Sequence, residues 1–340
     1  MPAGGPLPAG SVDARRRTGL RARAVGVAER YALLGFTVLL GVVFSVLPAT
    51  SATFPTIANL RNVASNQSVV AVAALAAMVP LVCGQFDISI GAVLGVSQVA
   101  AAAAMANYGL PVWIAVVIAV AVSCGIGAVN GGLVAYAGIN PLIATLGMAS
   151  LLAGLVSLYT GDRSIVNNIP QSVSNFGAQN FIGLPRTTWL LIAMALVLLW
   201  VLRQTPFGRH LTAVGSSSAA SRLVGLPVRR LVLSCFVLSG ALAGMAGVLQ
   251  LTTTGSADPV IGPGYTLPAL SAAFLGATAI RPGRFNVVGT LVGVAFVAIS
   301  VNGLTLAGAS GWVGPVFNGG ALIAAVTLST AIGRRHGTSG

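Results

Sequence analysis

The 340-residue chain contains no lysine. That absence removes the Walker A loop, whose Lys reaches the β- and γ-phosphates of a nucleotide, and it removes Schiff-base chemistry. If this chain's work needs ATP, another subunit must hydrolyse it. Acids are almost as scarce: Asp13, Glu29, Asp87, Asp162 and Asp258 are all there are. The two histidines, His210 and His336, stand too far apart to suggest a metal site. Cys83, Cys124 and Cys235 are scattered through apolar runs, so neither a disulfide framework nor a CxxC motif follows. There is no nucleophile–histidine–acid set and no carboxylate pair. The chain reads as a non-enzyme with no cofactor of its own.

Charged residues make up only 7% of the chain against 56% hydrophobic, and mean hydropathy is +0.92. A soluble globular protein carries about 25% charged residues, so this chain lacks the polar surface to face water. A bilayer is the implied solvent, in which one spanning helix takes ~20 apolar residues. Apolar runs lie at about 31–48, 66–83, 88–107, 111–135, 139–160, 188–203, 231–253, 266–280, 286–307 and 311–332. The expected fold class is therefore all-α, a polytopic membrane protein of about ten transmembrane helices. Small residues at Ala100–Ala104 and at Gly240, Gly244 and Gly247 allow close helix contact.

All 18 basic residues are arginine, and the net charge is +13. That excess could suggest a nucleic-acid binder. The arginines, however, sit between or outside the apolar runs, as topology determinants do, so no nucleic-acid partner is expected. With the N-terminus in the cytoplasm and spans alternating, 15 arginines fall on the cytoplasmic side and only Arg61, Arg163 and Arg186 on the other. Both termini are thus expected in the cytoplasm. Residues 1–30, rich in Pro, Gly, Ala and Arg, read as a disordered cytoplasmic tail. Their layout imitates a signal peptide, but the further spans favour a retained first helix. The membrane domain is expected over 31–332 and a short cytoplasmic tail over 333–340. Two long connections are candidate docking surfaces: 161–187 outside, and 203–230 inside, with room for a short helix over 219–223.

Asp87 is the one carboxylate flanked by apolar runs on both sides, within Gly84-Gln85-Phe86-Asp87-Ile88-Ser89-Ile90-Gly91. At the bilayer centre it would cost ~2.5–3.5 kcal/mol. It is either a helix N-cap or a gating residue near a helix break, where exposed helix ends meet a polar solute. The similar stretch Gly283-Arg284-Phe285-Asn286 implies shared turn chemistry. Uncharged polar residues within the runs are Asn66, Gln67, Asn130, Asn140, Thr145, Thr252–Thr254, Asn302 and Asn318. They suit sugar hydroxyls, and interhelical hydrogen bonds account for them equally well.

Several blocks occur in order: Asn59-Leu60, Asn62-Val63 and Gln67-Ser68; the stretch 84–92; Asn130-Gly131, Pro141, Thr145-Leu146-Gly147 and Thr160-Gly161; Gly208-Arg209, Gly215, Ala219-Ala220, Arg222-Leu223 and Gly225; then Gly255-Ser256-Ala257, Pro259, Gly262, Gly264-Tyr265, Gly276, Gly289-Thr290 and Asn302-Gly303-Leu304. Over about Phe54 to Ser329 this series resembles the membrane permease of bacterial ABC importers of the ribose/xylose/galactose type, within the branched-chain amino acid/sugar permease superfamily. The resemblance implies the ABC importer permease fold, a homodimer in the lipid of the bacterial inner membrane, and a path for a small solute such as a monosaccharide. It also implies a cytoplasmic ATPase, which binds the ATP and Mg, and a periplasmic or lipid-anchored solute-binding protein. Gly208, Arg209, Gly215, Ser218, Ala219, Ala220, Arg222 and Gly225 correspond to the ATPase-coupling loop. Asn66, Gln67, Asp87, Asn140 and Thr145 are candidates for the translocation path or gate. The chain departs from the family pattern at Gln85, Ser217-Ser218, Thr266 and Pro268. The alternative function is a secondary transporter or channel that needs no ATPase.

Overall fold

The computed structural model describes residues 30–337, with side chains to Thr327. Of the tail expected over 1–30, residues 1–29 lie outside the described residues, as do 338–340, while Arg30 begins a helix. The chain is mostly helical. In order come α1 (Arg30–Val46), α2 (Ile57–Val82), α3 (Ile90–Ala106), α4 (Val112–Ala135), α5 (Pro141–Thr160), α6 (Gln171–Ala178), α7 (Arg186–Gln204), α8 (Pro206–Ser216), α9 (Ser218–Leu223), α10 (Val228–Thr254), α11 (Thr266–Gly276), α12 (Val287–Leu306) and α13 (Val313–Gly337). The pairs Asn180–Phe181 and Leu184–Pro185 form a small antiparallel hairpin.

Each of the ten apolar runs contains a helix, but the expected count of spans is not reproduced. Among the described residues six helices, α2, α4, α5, α7, α10 and α12, are long and apolar enough to cross a membrane. The apolar parts of α1, α3 and α13 are shorter. The 11 residues of α11 reach only ~16 Å at 1.5 Å per residue, about half the hydrocarbon thickness. There are two further differences. α13 continues to Gly337, into the stretch expected to be a tail. The connection 203–230 holds two helices, α8 and α9, rather than one.

α2 is the centre of the bundle. Every residue from Ser68 to Leu81 apart from Val70 is buried, which a helix apolar all round can tolerate. α10 packs along α4, α2 and α3, while α11 and α12 close the far side of α2. The α4–α10 contact is close because glycine permits it. A Cβ on Gly127 would strike the Phe236 carbonyl, and one on Gly240 would strike the Ser123 carbonyl. Opposite them, α4, α5 and α7 turn largely apolar, exposed faces outward. That pattern fits lipid, because a lipid-facing helix surface gains nothing from polar side chains.

The segment 161–187 is not a free loop. Val173 and Gly177 of α6 are buried, and a Cβ on Gly177 would clash with the Thr252 carbonyl of α10. Ile165 and Ala257 exchange backbone hydrogen bonds (2.9 and 3.0 Å), which ties this segment to the stretch after α10.

Candidate functional site: a broken helix pair and an exposed hairpin

α2 ends at Val82, and Gly84 takes a left-handed backbone (φ +74°). Residues 85–88 then form no regular structure before α3 starts at Ile90. The start of α3 lies well inside the bundle. Its neighbour Asp87 reaches Ser239, which stands 11 residues into α10, or ~16 Å along that helix. A second helix starts against α3. A short 3₁₀ turn, Gly262–Tyr265, leads into α11, and a Cβ on Gly262 would lie 2.6 Å from the Gly91 carbonyl of α3. Two interrupted helices therefore meet near their N-terminal ends. In transporters such breaks are where helix ends can face a polar solute.

A buried polar cluster surrounds the start of α3. Asp87 is 4% exposed. Its Oδ1 accepts from the Ser89 backbone N–H (2.9 Å) and the Ser89 hydroxyl (2.6 Å). Its Oδ2 accepts from Ser239 Oγ at 3.3 Å. Ser239 also donates to the Ala76 carbonyl of α2 at 3.0 Å, so one proton serves two acceptors. Asn130 of α4 donates through Nδ2 to Ser89 Oγ (2.9 Å), and its buried Oδ1 has no partner. Thr145 of α5 accepts from the Ile88 backbone N–H (3.1 Å) and donates to the Pro141 carbonyl (2.8 Å). The cluster thus joins α2, α4, α5 and α10 to the start of α3. Asp87 is not an N-cap in the usual sense. The N-cap position is Ser89, with no side-chain cap bond, and Asp87 serves the amide two residues on, as an Asx turn does.

The related stretch at 283–286 shares the left-handed glycine but caps its helix directly. Gly283 is left-handed (φ +80°), and Asn286 caps α12 by accepting from the Gly289 N–H (2.7 Å). The two turns also meet. Phe86 stacks on Phe274 with centroids 5.9 Å apart, and Phe285 meets the same ring edge-on at 5.3 Å.

Of the five path candidates, the structure brings Asp87 and Thr145 together and leaves three elsewhere. Asn66 is exposed and donates to Asn62 Oδ1 one turn earlier (2.6 Å). Gln67 is half-buried on α2. Asn140 is exposed and caps α5 by accepting from the Leu142 N–H (2.9 Å). Sequence reasoning missed Ser239, a serine in an apolar helix with no local mark of its partners. It also missed Gln98 and Gln250, both buried. Gln98 donates to the Ser256 carbonyl (2.9 Å) and Gln250 accepts from the Tyr265 hydroxyl (2.6 Å). Intramembrane amides were a visible signal for that pair.

The coupling-loop candidates divide between α8 and α9. α8 is amphipathic: Gly208, Leu211 and Val214 are buried, three residues apart. A Cβ on Gly215 would strike the Val82 carbonyl, so α8 lies against the end of α2. α9 rests on the body through the buried Ser221 and turns its other side chains outward. The Ser217 hydroxyl accepts from the Ala220 N–H (3.2 Å), a side-chain N-cap and a local reason for serine at that departure from the family pattern. Ser218, Ala219, Ala220 and Arg222 are exposed. So are Leu223 and Val224, at 90% and 76%. Gly225 closes the turn with φ +80°. Two adjacent bare aliphatic side chains beside an arginine form a contact surface on a rigid one-and-a-half-turn helix.

The pattern of one known family, described as "Branched-chain amino acid transport system / permease component", matches residues 59–326. The chain belongs to this family. The ribose import permease protein of Escherichia coli (strain K12) is 33% identical over 229 residues, 66% of this chain and 71% of its own length. The ribose import permease protein of Bacillus subtilis (strain 168) is 33% identical over 250 residues, 73% and 77% of the two chains. The D-allose transport system permease protein of Escherichia coli (strain K12) is 31% identical over 254 residues, 75% and 77%. No solved structure matches. As a member of this permease family with six span-length apolar helices, the chain is a multi-pass membrane protein and a transport subunit. The family match includes the polar cluster, both interrupted helices and the α8–α9 hairpin.

Proposed function

We propose that this permease is the membrane subunit of an ATP-binding cassette importer that carries a monosaccharide, of the ribose, xylose or allose kind, across the bacterial inner membrane. The similarity to ribose and allose permeases over about three-quarters of the chain supports the substrate class. The observation that carries the mechanism is the exposed α9 hairpin, with its bare Leu223 and Val224. A cytoplasmic ATPase binds the ATP and Mg and receives α9 in a cleft. α8 is anchored at the end of α2 and passes the ATPase's closure to the start of α3. The Asp87 cluster and the α3–α11 break then rearrange as the bundle exposes the path alternately to each side.

In this reading two copies pair around the path, and a periplasmic or lipid-anchored binding protein delivers the sugar to the opposite end, near 161–187 and 254–265. The arginine distribution puts both termini and residues 203–230 in the cytoplasm. α11, too short to cross alone, completes a tenth apolar segment together with the 3₁₀ turn before it. The test is a binding screen on the solute receptor encoded with the permease. A pentose or aldohexose should raise its melting temperature as bound ligand does. A receptor that responds only to amino acids would overturn the sugar assignment.

A further inference from the structure

Three arginines converge at the end of α7 with no carboxylate beside them among the described residues. Arg203, in the last turn of α7, Arg209 of α8 and Arg281 of the turn before α12 line one cavity of about 490 Å³, together with Gln204, Thr212 and Ser216. None of the three guanidinium groups has a hydrogen-bond or carboxylate partner among the described residues. The described acids are occupied elsewhere: Asp87 in the interior, Asp162 with Ser157, and Asp258 with the Val260 N–H. A neighbouring hollow adds Arg284 and Arg30 around the shared Arg281. Three guanidinium groups in so small a space repel one another, and planar guanidinium forks match phosphate oxygens.

The surface above the cavity identifies the carrier of the phosphate. Leu196, Val197 and Trp200 form an exposed apolar stripe on α7, one to two turns before Arg203. Trp200, 61% exposed, stands within one turn of Arg203, and tryptophan is enriched at membrane–water interfaces. The side chains therefore pass from acyl-chain chemistry to phosphate chemistry along one helix face. Basic pockets at helix ends bind anionic headgroups in this way.

We infer that Arg203, Arg209 and Arg281 form a binding site for the headgroup of an anionic phospholipid, whose acyl chains lie along Leu196, Val197 and Trp200. The site depends on α7 crossing the membrane and not on the sugar assignment. Arg209, which the resemblance places with the coupling loop, faces this cavity and not the α9 tip. A bound lipid would tie the end of α7 to α8 and to the 281–284 turn, and so make the hairpin's seating sensitive to membrane composition.

The test is lipid retention by the full-length permease, purified in detergent and read by native mass spectrometry. Phosphatidylglycerol, phosphatidylcholine and inorganic phosphate are the three probes. Near a surface each arginine contributes roughly fivefold in affinity, so phosphatidylglycerol should be preferred over phosphatidylcholine on the order of a hundredfold. R209Q should lower that preference about fivefold and R203Q/R209Q/R281Q should abolish it. Excess inorganic phosphate should not release the lipid. R209Q alone decides the matter if the triple variant fails to fold. An unchanged preference in R209Q, or release by millimolar phosphate, would overturn the proposal. So would a triple variant that keeps the lipid preference but no longer captures the ATPase, since that would assign the arginines to an acidic protein face.

Discussion

The substitution Asp87→Asn separates a structural role for this residue from a functional one, because the network around it can accept an amide. In the native cluster the Ser239 proton is divided between the Ala76 carbonyl at 3.0 Å and Asp87 Oδ2 at 3.3 Å. With asparagine, Nδ2 donates to Ser239 Oγ, and Ser239 gives its proton wholly to Ala76. Oδ1 keeps both bonds from Ser89. Every partner stays satisfied, so D87N should change stability by no more than about 1 kcal/mol. Asp87→Ala, by contrast, leaves the buried Ser89 N–H without an acceptor, at a cost of about 1–3 kcal/mol, and adds a small cavity.

Transport should respond differently. If the link from Asp87 to α10 exists in only one of the two access states, exchanging its charged acceptor for a neutral amide removes about 1 kcal/mol from that state. That equals a shift of roughly fivefold in the equilibrium between states. D87N should therefore melt within about 1 kcal/mol of the parent in detergent and take up sugar about fivefold more slowly. The assay is radiolabelled uptake in cells, normalised to membrane-inserted permease, beside thermal unfolding of the same purified protein. Wild-type uptake by D87N would refute the gating role and leave Asp87 as a turn residue only.

Other outcomes follow from single contacts. Leu223→Asp lies on a 90% exposed residue and should leave stability within about 0.5 kcal/mol while abolishing co-purification of the ATPase; retained capture would remove α9 from the interface. Ala220→Trp should do the same. Gly225→Val forces a β-branched residue to φ +80°, at a cost of about 1–2 kcal/mol, and should uncouple ATP hydrolysis from uptake. Gly127→Ala should destabilise the α4–α10 contact by about 1–3 kcal/mol by overpacking, whereas Gly125→Ala, with open space around its Cβ, should be neutral or stabilising by up to about 1 kcal/mol. Equal melting temperatures for that pair would contradict the packing described.

Much of the helical layout was legible in the sequence because a bilayer imposes one periodicity: a long apolar run has to be a helix. The starts of α4, α5, α7 and α12 followed from their apolar boundaries. The interruptions were harder to see. Nothing local to Ile88–Asn107 says that its helix starts in the bundle interior. That depth comes from Gly91 meeting Gly262 across 170 residues. For the same reason the sequence does not show which runs cross the bilayer as one helix, since the 15-residue run at 266–280 holds an 11-residue helix. Asp87 and Thr145 were legible as isolated polar residues in oil, but their meeting was not. Asn140, chosen on the same ground, turned out to be the cap of α5. Its following Pro141 at the first helical position was the local sign. Ser239 carried no sign at all, because a serine in a membrane helix can bond to its own backbone. The α9 tip was readable as a connection of unusual length, whereas its two bare aliphatic side chains emerged only once α8 was seen to hold the rest of the loop against α2.

The central claim is that this permease conducts sugar only when another subunit supplies the energy through residues 203–230. It is tested most directly in proteoliposomes that contain the purified permease with or without its ATPase, with ATP enclosed on the ATPase side and the loaded binding protein outside. The account predicts labelled sugar accumulation with the complete set and none when the ATPase is left out or when Leu223→Asp replaces the parent. Concentrative uptake by the permease alone would contradict it and establish a secondary transporter instead.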